Sequence, residues 1–372
     1  MRSILFSIAI GLLGQVSSVD IDALLKTAHA AYRKADYAAA RKAYEDAWTA
    51  AGELPQSDPK RYEILKELSG VVSAAGDQDA AENYIELAIN WRETVVGRED
   101  PLIAADLIEL ATICERRKDF DRAIAILQRV VGIHTKSKGS FENIDVADDF
   151  SRIALVHMGE NKPEAAIPSL QTAIGIREKV LGADSPGLLS DLDRLGGAQI
   201  TTRVYEDAET TFRRALVIRE RIEGTQSPDL LTTLDGLAYA LFGQKKYDDA
   251  EVFYKRLLNL WLLIGNLPMI ADTDEKIAVF YREQKKWDEG TAAASNAIAL
   301  RALVSAVGLS TEATAWISHG DKAHAVELYH KALTLLDPNR QDHDGLRQQI
   351  EHVLADLDPP KATKTAPRKK QP

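Results

Sequence analysis

Cysteine is nearly absent from this chain: Cys114 is the only one in 372 residues. No intrachain disulfide framework is therefore available to it. Glycine and proline are sparse as well, at 22 and 13, too few for a collagen-like or low-complexity chain. Positive charge is the minority sign, with 46 Lys and Arg against 56 Asp and Glu and a net charge of −10. That balance lacks the basic footprint of a nucleic-acid binder. Long apolar runs are missing too. The clearest spans Ile4 to Leu13, against about 20 residues for a membrane-spanning helix, and no other stretch approaches that length. What is there is a chain 45% hydrophobic, too apolar to be disordered as a whole. At roughly 150 residues per domain, its length suggests two or three domains.

Catalytic and metal motifs are also lacking. There is no Gly-rich phosphate loop, no Gly-x-Ser-x-Gly elbow and no Cys/His set at metal spacing. His319, His324 and His330 are five and six apart, which does not stack imidazoles as an i, i+4 pair would. No catalytic residue, metal ligand or cofactor is assigned, and an enzyme is not expected. Cys114 lies in an apolar helical stretch and reads as a small buried hydrophobe. The five Trp read as packing residues.

The N-terminus reads as an address. Arg2, the apolar run to Leu13 and the small residues Ser17 and Ser18 make a secretory signal peptide. Cleavage is expected after Ser18, with an uncleaved membrane anchor as the alternative. Export places the protein in a periplasmic or extracellular space.

A repeat fills the body. The segments beginning Tyr37, Tyr205 and Tyr247 each carry an Ala three residues later and an aromatic four after that. Followed along the chain, this marker is Ala40, Ala81, Ala123, Ala166, Ala208, Ala250, Gly290 and Ala325, with gaps of 41, 42, 43, 42, 42, 40 and 35. Twelve residues before each marker sits another small residue: Ala28, Ser69, Ala111, Ala154, Gly196, Ala238, Ala278 and Ala313. Four before those comes an apolar residue, except at Asp274. This is helical spacing, so each unit is two helices, A and B, packed small residue against small residue. The aromatic before the marker is expected at the turn within the pair. Loops such as Gly97 to Pro101, Gly182 to Pro186 and Gly224 to Pro228 separate the units. There, Gly ends one helix, and Asp or Ser followed by Pro begins the next.

These signature positions resemble the tetratricopeptide repeat (TPR), whose usual period is about 34 residues. The longer period and Gly-x-x-Ser-Pro loops resemble the kinesin light chain subtype. The resemblance implies an all-α fold: a right-handed superhelical TPR solenoid of about eight helix-turn-helix repeats plus a C-terminal capping helix. The expected organisation is a signal peptide over 1–18, the array over 19–336, a capping helix within 337–357 and a disordered tail over 358–372. That tail carries five basic residues against one Asp. It suits contact with an anionic surface, or with the protein's own acidic groups.

In such arrays the A helices line a concave face on which ligand peptides lie. On this face the sequence offers an acidic line, Asp193, Asp235 and Glu275, extended by Asp148 and Asp272. Tyr239, Phe242 and Arg282 lie beside it. The paired Asn typical of kinesin light chains are replaced here by Asp193-Arg194, Asp235-Gly236 and Glu275-Lys276. The expected function is an exported scaffold or adaptor binding a peptide or partner protein. A peptide-sensing component of a signalling or secretion system is the alternative, and an enzyme with an unrecognised site a remoter one.

Overall fold

The computed structural model describes residues 20–357. The expected signal peptide over 1–18 and the tail over 358–372 lie outside the described residues. Among these there are helices and no strand. In chain order the helices are α1 (Ile21–Tyr32), α2 (Tyr37–Ala50), α3 (Pro59–Ala74), α4 (Gln78–Val96), α5 (Ala104–Arg116), α6 (Phe120–Lys138), α7 (Ile144–Gly159), α8 (Pro163–Leu181), α9 (Leu189–Thr201), α10 (Tyr205–Glu223), α11 (Leu231–Gly243), α12 (Tyr247–Ile264), α13 (Leu267–Glu283), α14 (Trp287–Ser318), α15 (Lys322–Leu335) and α16 (Gln341–Leu357). They form two compact units. The first ends at Thr202 and the second begins at Arg203.

The small residues predicted to face one another are all buried. The seven Ala markers are 0% exposed, and Gly290 is buried with them. Two contacts show the pairing directly. The Ser69 hydroxyl donates to the Ala81 carbonyl at 3.0 Å. A Cβ on Gly290 would lie 3.3 Å from the Ala278 carbonyl. The first unit gathers its core around Leu65, Ile85, Leu107, Leu127 and Ile153, with a second cluster around Tyr44 and Leu68. In the second unit, Leu303, Leu328, Tyr329 and Ile350 close the last helices together.

The turns are as regular as the helices. Five residues before every marker stands a left-handed residue: Ala35, Gly76, Lys118, Asn161, Arg203, Lys245, Lys285 and Gly320. In four repeats the next residue is an Asp (Asp36, Asp77, Asp119, Asp321) whose side chain caps the B helix. Between repeats, Gly97, Gly182 and Gly224 take φ of 91°, 91° and 84°. Asp100, Ser185 and Ser227 then cap a single 3-10 turn before the next A helix.

Three expectations change. The B helix after Gly290 and the following A helix are one continuous 32-residue helix, α14. The gap between those markers is 35 rather than about 42, so the residues that would form the loop do not exist, and the Ala-rich segment runs through. That helix is also long and apolar enough to cross a membrane by length and composition alone, although no stretch beyond the N-terminal run was expected to be. It packs into the second unit's core through Leu303, Ala306 and Ala313. Finally, Trp287 and Trp316 are not core residues, being 62% and 38% exposed, although Trp316 meets His324 edge-on at 4.8 Å.

The capping helix is present as α16. His343, fully buried, accepts from the Asp337 N–H at 2.9 Å and faces the Ala299 carbonyl at 3.2 Å. It is a satisfied structural histidine. Asp274, the exception in the apolar series, is buried and accepts from Asn296, whose carbonyl in turn receives Arg340 at 2.9 Å.

A left-handed non-glycine residue carries a steric cost of about 1 kcal/mol. Replacing exposed Lys118 (φ 62°) by Gly should therefore raise the thermal midpoint, and replacing Gly76 (φ 90°) by Ala should lower it. Thermal unfolding checks both, and a shift of the same sign in the two variants would contradict the turn assignment.

Candidate protein-binding surface

The second unit contains most of the residues expected to form a site. Tyr239 and Phe242 are three apart on α11, so one helical turn puts both rings on the same face. Their centroids are 6.5 Å apart. The aromatic run extends to Tyr205, 6.5 Å from Tyr239, and to Tyr247, 5.8 Å from Phe242. Tyr239 remains 44% exposed. Tyr205 reaches this face because it packs over the end of the following A helix: a Cβ on Gly243 would lie 2.6 Å from its ring. Phe212 covers Gly236 in the same way, at 2.4 Å. In the first unit, Phe120 contacts the Gly159 position at 3.8 Å. The B-helix aromatics thus join each repeat to the next. They are not confined to the turn of their own pair.

The carboxylates are present on this face, but they are already engaged. Asp235 receives Lys276 at 2.6 Å. Arg301 on α14 bonds both Glu275 and Asp272, the latter at 2.9 Å. Exposed pairs of this kind contribute little stability, about 0–1 kcal/mol each, yet they cancel most of the field an acidic line would project. Arg282 projects from α13 into solvent and, among the described residues, makes no ion pair. Asp193 lies half-buried on α9 in the first unit.

The first unit has a groove that the site assignment missed. Its A helices α1, α3 and α5 enclose a cavity of about 470 Å³ lined by Tyr32, Gly70, Ser73, Ala74, Ile108, Thr112 and Arg116, among others. Ile108 and Thr112 stand three before and one after the small residue Ala111, as Asp235 and Tyr239 stand about Ala238. The depth comes from Gly70, where a Cβ would have nothing within 4 Å. A glycine inside a helix costs about 1 kcal/mol relative to Ala, and here no close packing requires it. The equivalent slot holds Thr112 and Tyr239 in other repeats, and that contrast was the available signal. Arg116 donates to the Ser73 hydroxyl at 2.6 Å and makes no ion pair among the described residues. At another edge Glu109 is held by Lys66 at 2.6 Å. The groove therefore offers an apolar floor beside a guanidinium that no carboxylate among the described residues neutralises.

Behind these faces runs a series of buried polar contacts, also missed. Eleven residues after the marker, the B helices carry Arg92, His134, Arg177 and Arg219. Five before the small residue of the next A helix stand Asp106, Asp149, Asp191 and Thr233. Each meets its counterpart: Arg92 with Asp106 at 3.0 Å, His134 with Asp149 at 2.7 Å, Arg177 with Asp191, and Arg219 with the Thr233 hydroxyl. The three Asp are 1% exposed. Asp106 is bonded further by Tyr62 at 2.7 Å and Lys66 at 2.8 Å. Cys114 is a free, buried thiol whose pKa is pushed up by burial, the opposite of what reactivity needs.

The comparisons with known proteins agree with this architecture. Residues 202–262 match the tetratricopeptide repeat family model. No curated protein matches the sequence. The C-terminal part of a TPR repeat-containing protein from Cytophaga hutchinsonii is 17% identical, covers 74% of this chain and 95% of that one, and superposes with a TM-score of 0.55. BtubC (BKLC) from P. vanneervenii is 22% identical over 66% of this chain and 93% of its own, with a TM-score of 0.49. TPR-like repeats of a candidate kinesin light chain from Podosopora anserina are 18% identical over 55% and 96%, at 0.46. Residues 202–262 are thus tetratricopeptide repeat, and the same helix pair recurs along the described residues with a period of about 42.

Removing one partner of a buried, multiply bonded charge costs about 3–5 kcal/mol. Asp106→Ala should therefore destabilise the first unit strongly, because the partly buried Arg92 loses its counter-charge and Tyr62 loses its acceptor. Urea unfolding of the full chain reads this, and a loss under about 1 kcal/mol would mean that the contact is worth no more than a surface pair.

Proposed function

We propose that this protein is a binding scaffold that holds an extended segment of a partner protein against its A helices. The observation that carries this reading is the groove of α1, α3 and α5, kept open by a helix-interior glycine that packing does not explain. TPR arrays act by binding protein partners, and the groove has the size of one or two side chains. Its chemistry favours an apolar side chain on Ile108 and Ala74, with a nearby carboxylate on Arg116. The exposed Tyr239, with the half-buried Phe242 beside it, offers a second apolar anchor in the other unit. The acidic line does not select a basic peptide in this reading, because Lys276 and Arg301 already neutralise it.

We also propose that the chain works outside the cytoplasm after removal of residues 1–18. N-terminal sequencing of the exported form should begin at Val19, and a form retaining Met1 would point to the anchored alternative. The basic tail then serves as a contact for anionic surfaces. Lys276 and Arg301 occupy the carboxylates it would need for docking on the protein itself.

Peptides captured by the full chain from a displayed random library provide the main test. They should share an apolar residue near an Asp or Glu. Gly70→Trp, which fills the groove where there is space for it, and Arg116→Glu should each reduce their affinity by about tenfold, or 1.4 kcal/mol. Fluorescence anisotropy reads the change. Capture that is indifferent to both substitutions would remove the groove from the function.

A further inference from the structure

The buried contacts between repeats include one of a different chemical kind. Arg92, Arg177 and Arg219 keep their charge at every accessible pH. The same position in the third repeat is His134, whose ring Nδ1 lies 2.7 Å from a carboxylate oxygen of Asp149. Asp149 is 1% exposed and the His134 side chain 16%, so solvent does not stand in for a partner.

Among the described residues no permanent cation is bonded to Asp149 in compensation. On α6, His134 faces it, while Lys138 holds Asp145 at 3.3 Å. On α7 itself Asp148 repels it and Arg152 attracts it from a distance. Arg177 on α8 is committed to Asp148, Asp191 and the Ser151 hydroxyl. Arg152 is shared in turn with Glu115 on α5.

We propose that the α6–α7 junction is a proton-controlled joint, tightened when the His134–Asp149 pair takes up one proton and loosened when it loses it. The α4–α5 and α8–α9 junctions, closed by arginines, do not respond in this way. With one proton the pair is neutral as a unit, whichever atom carries it. With none, a carboxylate buried in the core faces an uncharged ring, and burying net charge is costly.

The direction follows from linkage. Burial raises the Asp149 carboxyl to about 6, against the opposing pull of His134 and Arg152. A group whose pKa is higher folded than unfolded stabilises the fold fully below its unfolded value, and that contribution is lost as pH rises through the folded value. The joint is therefore firmer near pH 5 than near pH 8, the reverse of what depressed carboxylate pKa values produce. The consequence for presentation is local: Leu155 and Met158, exposed on α7 at 42% and 37%, lie on one side of the joint. The groove of α1, α3 and α5 lies on the other.

Hydrogen exchange of the full chain, expressed as protection factors between pH 5 and pH 8, tests this. Amides in the C-terminal half of α6 and the first half of α7 should lose protection by about tenfold or more over that range. Those at the α4–α5 junction serve as the internal reference and should change much less. His134→Arg, which converts the joint to the kind its neighbours use, should flatten the profile. Asp149→Asn should flatten it too, and serves if the arginine variant does not fold. An identical pH profile in the wild type and in both variants, or an equal slope at α4–α5, would overturn the proposal.

Discussion

Everything in this protein depends on two helices being allowed to touch at a pair of small residues. Ser69 against Ala81, and Ala278 against Gly290, leave no volume for a longer side chain. The close approach fixes how the B helix leaves the A helix, and hence which of its residues reach the next repeat. Once the marker is placed, the position eleven later faces the next A helix, and the aromatic three earlier covers that helix's glycine. A single substitution at the marker would displace both sets of contacts, because side chains in a packed interior have little free volume to absorb it.

The charged residues follow from the same geometry. A chain with 102 charged residues, read only as a composition, suggests an acidic surface able to attract cations. In the structure many of the carboxylates are internal connectors. Asp106, Asp149 and Asp191 are buried between repeats, and Asp235, Asp272 and Glu275 are held by cations of neighbouring helices. What remains for recognition is largely apolar surface with a few cations that no carboxylate among the described residues neutralises, notably Arg116 and Arg282. Rigid repeats carrying an exposed face of that composition suit the capture of an extended chain.

The helical period, the small–small contact and the interrepeat loops were all legible in the residues. Each is a local rule, read from spacing, capping and glycine at a helix end. The candidate site was legible only in part. Tyr239 and Phe242 do share an exposed face, since three residues on a helix settle that. Their acidic neighbours could not be read as paired, because Lys276 and Arg301 belong to α13 and α14 and lie 26 to 41 residues away from the groups they bond. The groove escaped notice because it is made of absent side chains, at Gly70, Ala74 and Ala105.

The sequence by itself determined that this is an all-α array of helix pairs with a period near 42, shortened to 35 at its last gap. Backbone propensity and periodic burial are encoded within a few turns of chain, so they can be read there. Only the tertiary structure decided that the short junction runs through as one 32-residue helix, and which charges neutralise one another. It alone placed the lone histidine of the buried series opposite a carboxylate with no fixed cation. Those outcomes turn on distances between side chains from different repeats, which no spacing along the chain records.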